Sequence, residues 1–153
     1  MNTLLTKESL LKTNGDGEGG LKGADLDGLS MAGIDLSGTD MDYSDIANAN
    51  FDGASLEGVN FTGAKLTGTS FKGAFLNEAD FTDAVIDGCD FTGADLLAAD
   101  LSVKSYEGAI FDKADLTSVW IDSDMFSAMQ REGAVVEDVN SGASFAGNSK
   151  QVS

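Results

Sequence analysis

Residues 51–71 read FDGASLEGVNFTGAKLTGTSF, and every fifth residue, Phe51, Leu56, Phe61, Leu66 and Phe71, is large and apolar. Working outward, the register continues from Leu21 to Phe126 through 22 such positions with no insertion or deletion. Two residues before each from Leu26 onward lies a smaller position, alanine in eleven of 21 cases. All twelve glycines between Leu21 and Phe126 fall two residues after a large position. Residues two apart share one face of an extended segment, so the small and large side chains point inward together. The glycine-rich remainder must turn the chain, because glycine tolerates backbone angles that other residues resist. A five-residue period places no stripe on a helix, and glycine is not spaced in threes as collagen demands.

Steps of twenty sort the large positions into like columns. One reads Leu36, Leu56, Leu76, Leu96, Leu116, and another Met31, Phe51, Phe71, Phe91, Phe111. Twenty residues therefore return the chain to the same side, which makes four short sides per circuit. The strings Ala24-Asp25-Leu26, Ala94-Asp95-Leu96 and Ala114-Asp115-Leu116 resemble the A(D/N)Lxx signature of the pentapeptide-repeat family. That resemblance implies an all-β solenoid, a right-handed quadrilateral β-helix of about five coils with short helical caps at both ends.

Four segments follow. Residues 1–20 read as an N-terminal cap, with a helix from Leu4 to Lys12 capped by Thr6, apolar at Leu5, Leu10 and Leu11, and followed by a Gly/Asp turn. Residues 21–126 form the repeat. Residues 127–139 complete a C-terminal cap whose helix opens at Asp122 or Ser123, runs through Met125, Phe126 and Met129, and stops at Gly133. Val135, Val136 and Val139 could add a short strand, and 140–153 read as a polar, mobile tail. Lys104 and Asp124 occupy inward small positions, which predicts distortion in the last coil or two.

Composition narrows the function. Twenty-six acids against nine bases give a formal charge of −17, with no histidine and one cysteine. Such a chain lacks the cations that nucleic acid or an anionic membrane surface requires. It also lacks a disulfide framework and a Cys/His zinc site. No apolar run reaches bilayer-spanning length, and residues 1–20 lack the apolar core of a signal peptide; cytoplasm is the expected location. No catalytic residue, cofactor or metal is assigned. Cys89 falls at an inward small position and reads as an inert packed thiol. Asn14, Asp16, Glu18 and Asp25 resemble part of an EF loop, but Asp stands where the twelfth-position Glu belongs and a β-repeat follows. Asp40, Asp42 and Asp45 read as solvated carboxylates rather than a shared cation site.

What remains is surface. The repeat carries twenty acids and five lysines; at ~4.8 Å per coil it spans about 25 Å, or one net charge per ~1.7 Å, close to duplex DNA. The charge is uneven. The side of Leu96 holds five acids and no lysine, whereas the side of Phe91 nets only −1. The candidate acidic surface is Asp35, Glu57, Glu78, Asp95 and Asp115, with Asp40, Asp80 and Asp100 on the next side. Phe75 and Leu97 point outward on adjacent coils of one side, Val103, Ile110 and Trp120 gather toward the last coils, and together they form a candidate apolar contact patch. The expected function is a non-enzymatic, rigid acidic rod that binds or scaffolds a protein of unknown identity, with a homodimer through the C-terminal cap as a further contact. Two alternatives stand beside it. Some members of the resembled family mimic DNA toward type II topoisomerases such as gyrase, and a rod could also be a structural part of a larger assembly such as a virion.

Overall fold

The computed structural model describes residues 6–15, 17 and 19–131. Its core is a coil whose successive circuits pair through isolated parallel bridges, each joining residues twenty apart. Four ladders define four sides, named here by their first members. The Asp25 side runs 25–45–65–85–105, the Ser30 side 30–50–70–90–110, the Asp35 side 35–55–75–95–115 and the Asp40 side 40–60–80–100–120. Five circuits of twenty residues, from 21 to 120, make up the rod.

The repeat explains the bonding. The large residue donates to the next coil, as Leu26 N–H does to Asp45 C=O at 2.7 Å; the residue before it donates to the previous coil, as Asp45 N–H does to Ala24 C=O at 2.9 Å. At the corner a tight turn closes, with Leu29 N–H bonded to Leu26 C=O at 3.2 Å. Its third residue takes a positive φ, 70° at Gly28, as a type II turn requires.

Inside, the columns stack as the period predicts. Phe51, Phe71, Phe91 and Phe111 form a near-parallel pile with ring centroids 5.4, 5.0 and 4.9 Å apart. Phe61 and Phe81 stack beside it at 5.1 Å, meeting the pile edge to face. Most inward polar groups find a carbonyl, Thr39 Oγ1 being buried without a partner. Thr69 donates its hydroxyl to Ile46 C=O at 2.6 Å, and Cys89 its thiol to Leu66 C=O at 2.9 Å.

Each end carries a helix. Helix α1, Lys7–Asn14, starts at Thr6, whose hydroxyl accepts Ser9 N–H while Ser9 Oγ accepts Thr6 N–H. Thr6 caps the helix as its position in the sequence suggests, and the reciprocal bond with Ser9 completes the cap. Leu10 is buried in the core and Leu11 packs against it; Leu5 lies outside the described residues. Helix α2, Ser123–Arg131, is opened by the Asp122 carboxylate, which accepts Met125 N–H at 2.7 Å. Met125 is buried and Phe126 packs on the core from the helix. Phe126 is therefore not a side of the coil, and the repeat ends at Ile121. Gly133, the three valines and the tail lie outside the described residues.

Val103 marks the expected distortion. It occupies the corner slot that elsewhere has positive φ, a conformation a β-branched residue resists. The corner does not close there. Lys104 N–H bonds instead to Ala84 C=O at 2.9 Å, the acceptor that Ser105 would take in a regular coil. The one-residue slip turns the Lys104 side chain outward, where it is exposed.

A candidate interaction surface

The residue before each large position faces outward, and its chemistry follows from the turn beside it. The N–H just after the large residue has no backbone acceptor in the ladder. Aspartate or asparagine supplies one: Asp35 accepts Ser37 N–H at 3.0 Å, Asp80 accepts Thr82 N–H at 2.9 Å, and Asp95, Asp100 and Asp115 do the same for Leu97, Ser102 and Thr117. Asn50 and Asn60 make the identical bond without charge, to Asp52 and Thr62. Much of the acidity thus has a local structural cause.

These bonds hold some carboxylates below their ordinary pKa. Asp115 is lowered by the Thr117 hydroxyl and amide, and Asp35 by the amide and hydroxyl of Ser37. For Asp90 burial pushes the value up, but the Thr92 hydroxyl and amide and Lys72 outweigh it. A lowered folded pKa contributes stability that is complete above the unfolded value of about 3.9 and is lost as pH falls through the folded one. Between about pH 5 and pH 2, urea denaturation is expected to show wild type losing more stability than Asp115→Asn, whose amide keeps accepting at every pH. Parallel losses would contradict this assignment.

All eight predicted acids face outward on two adjoining sides. Asp35, Glu57, Glu78, Asp95 and Asp115 lie along the Asp35 side, and Asp40, Asp80 and Asp100 along the Asp40 side. Lys7 of α1 reaches the first coil of the Asp35 side, at Ser37 C=O 3.4 Å away, while three lysines of the repeat pair on other sides. Lys22 reaches Asp42 at 2.9 Å, Lys65 reaches Asp45 at 3.2 Å and Lys72 reaches Asp90 at 3.3 Å. Asp42 and Asp45 are thereby paired with cations, while Asp40 accepts Asp42 N–H and the Asn60 amide. The three do not converge on one point. Asp16 and Glu18 of the EF-like stretch lie outside the described residues. Among the described residues no three metal-ligating side chains are grouped. Cys89 is fully buried, and that burial pushes its thiol up to about 12, so it holds its proton.

The apolar prediction needs correction. Phe75, Leu97, Ile110 and Trp120 are exposed, at 48%, 40%, 48% and 47%, but they do not form one patch with Val103. Ile110 sits on the Ser30 side and Trp120 on the Asp40 side, and the faces of a four-sided rod point apart. Val103, released from its corner, packs against the core. Only Phe75 and Leu97 share a face. The sequence reading also passed over Tyr43, 66% exposed at a corner slot with φ 56°; an aromatic in a glycine slot was the available signal. A cleft of about 390 Å³ between the last coil and α2 is lined by Lys104, Ser105, Tyr106, Glu107, Phe111 and Ala128 among others, with the Ser105 hydroxyl donated to the Asp87 carboxylate.

The corner beyond the Asp35 side changes along the rod. Its first two slots are Gly38 and Gly58, but the next three are Glu78, Ala98 and Ser118, all left-handed with φ of 58–59°. Each costs about 1–2 kcal/mol relative to a right-handed conformation. The exchange gives each of the last three coils a side chain at that corner.

Comparison with known proteins matches this architecture. The pattern described as "Pentapeptide repeats (8 copies)" covers residues 21–58 and 60–96. A pentapeptide-repeat protein of the Arabidopsis thaliana thylakoid lumen is 31% identical over 80% of each chain, with a TM-score of 0.70. The chain belongs to the pentapeptide-repeat family. Its fold is the right-handed quadrilateral β-helix of that family, whose members are generally binding or structural modules without catalysis. More distant similarity extends to HetL of Nostoc sp. strain PCC 7120, a pentapeptide-repeat protein involved in heterocyst differentiation regulation. It is 20% identical, with 65% of this chain and 60% of that one covered and a TM-score of 0.41. Rfr23 of Cyanothece 51142 is 18% identical, with 71% and 92% covered and a TM-score of 0.39. No curated protein matches. Among the described residues no helix is long and apolar enough to cross a membrane.

Proposed function

We propose that this pentapeptide-repeat protein is a non-catalytic, rigid rod that binds protein partners through its acidic sides, its two helices closing the ends of the solenoid. One observation carries the reading: the Asp35 side presents five outward acids along five coils and none of the repeat's five lysines, with only Lys7 of α1 reaching its first coil, at Ser37 C=O. A coil in which each circuit bonds to the next holds those charges at fixed spacing, so a partner loses little entropy in matching them. Cytoplasmic location belongs to the same reading and is checked by cell fractionation.

The test neutralises that side alone, with Asp35→Asn, Glu57→Gln, Glu78→Gln, Asp95→Asn and Asp115→Asn. The three aspartates keep their turn acceptors as asparagines, so thermal stability is expected to stay close to wild type. Immobilised wild type should retain specific host proteins at about 0.1 M salt and release them at high salt. The neutralised variant should not retain them. Equal retention by both would overturn the reading.

A second reading, DNA mimicry toward a type II topoisomerase, is favoured by the charge density alone. Five coils of ~4.8 Å fall short of one DNA turn of ~34 Å, so mimicry over a full turn requires two copies end to end at the C-terminal cap. Inhibition or protection of gyrase at micromolar concentration, abolished by Asp95→Asn with Asp115→Asn, would establish it. A structural part in a larger assembly is the remaining alternative.

A further inference from the structure

We infer that Phe75 and Leu97 form the anchoring point of the Asp35 side, and that its ligand is a lysine- or arginine-flanked protein segment bearing one or two apolar side chains. The inference rests on the binding role proposed above and adds where on that side the partner seats and what chemistry it brings.

Asp95 ties the patch together. Phe75 pairs with it in the ladder one coil away, and its Oδ1 accepts Leu97 N–H at 3.1 Å. Its Oδ2 accepts the Asn77 amide at 2.9 Å, which leaves the Asn77 carbonyl oxygen buried with no donor. Two exposed apolar side chains thus flank a carboxylate fixed from both oxygens. Glu57, Glu78 and Asp115 lie along the same side, which carries none of the repeat's lysines; Lys7 of α1 reaches only its first coil, at Ser37 C=O.

Charge complementarity decides the occupant. A second copy would bring an equally acidic side and a net −17 against this one. Nucleic acid and anionic lipid are repelled for the same reason. A purely cationic ligand would leave Phe75 and Leu97 in water. Cations around an apolar centre satisfy both features, the charges setting orientation and the apolar contact excluding water.

Two labelled peptides of equal charge test this, Lys-Lys-Lys-Leu-Phe-Lys-Lys-Lys and Lys-Lys-Lys-Ser-Ser-Lys-Lys-Lys, titrated by fluorescence anisotropy at about 0.15 M salt. Wild type should bind the first at least tenfold more tightly. Phe75→Ser with Leu97→Ser should erase that preference while leaving the serine peptide's affinity unchanged; both substitutions are at exposed positions, and an unchanged denaturation midpoint confirms the fold. Equal affinity of wild type for the two peptides, or a preference surviving the double variant, would overturn the inference. The binding reading fails separately, if neutralising Glu57, Glu78, Asp95 and Asp115 weakens neither peptide.

Discussion

Phe71→Ala is expected to lower the stability to chemical denaturation by about 3–5 kcal/mol. The ring is fully buried between Phe51 and Phe91, with Phe61 and Phe81 at its edges. Removing it opens a void between rings that cannot close, because the ladder bonds above and below fix the coil spacing. Phe75→Ala, four residues away, should cost below about 1 kcal/mol, since its ring is half in water already. A Phe71→Ala change below about 0.5 kcal/mol would contradict the stacked core. The pair discriminates inward from outward positions within one repeat.

Gly63→Val is expected to cost about 2–3 kcal/mol, although Gly63 lies at a corner outside the core. Its φ is +64°, and a β-carbon there would lie 2.5 Å from the Tyr43 ring of the preceding coil. Both penalties fall on valine, which must leave the left-handed region and push the ring aside. Gly63→Asn should cost less, because Asn48 already holds φ 58° at a corner of the preceding coil. In a Tyr43→Gly background the steric share should vanish and the backbone share persist. Equal thermal midpoints for wild type and Gly63→Val would contradict the corner geometry.

The period of five made the fold legible, because a column such as Leu36 to Leu116 can arise only if the chain returns every twenty residues. The Phe71 pile and the four sides follow from it. Less legible was anything requiring two neighbouring departures to be weighed together. Lys104 stood out as wrong for an inward slot, but its escape depends on Val103 refusing the corner, which lets the Lys104 N–H take Ala84 C=O while Ser105 keeps its place in the ladder. Val103 was read as outward for the same reason and turned inward. Of the candidate site, the acidic columns were readable from the same period. The aspartates' bonds to their own turns were not, since spacing shows where a side chain points and not which amide lacks a partner. The period also placed Phe75 and Leu97 on one side, but that Ile110 and Trp120 lie on other faces and Val103 turns inward needed the structure.

The outward ladder positions accept Asp, Asn, Ser, Lys, Val, Phe, Ile and Trp on one unchanged backbone. Where aspartate stands, asparagine can keep the bond and drop the charge. Lettering and page are therefore independent: the same spiral can be reinscribed for a new reader one character at a time, without first being taken apart.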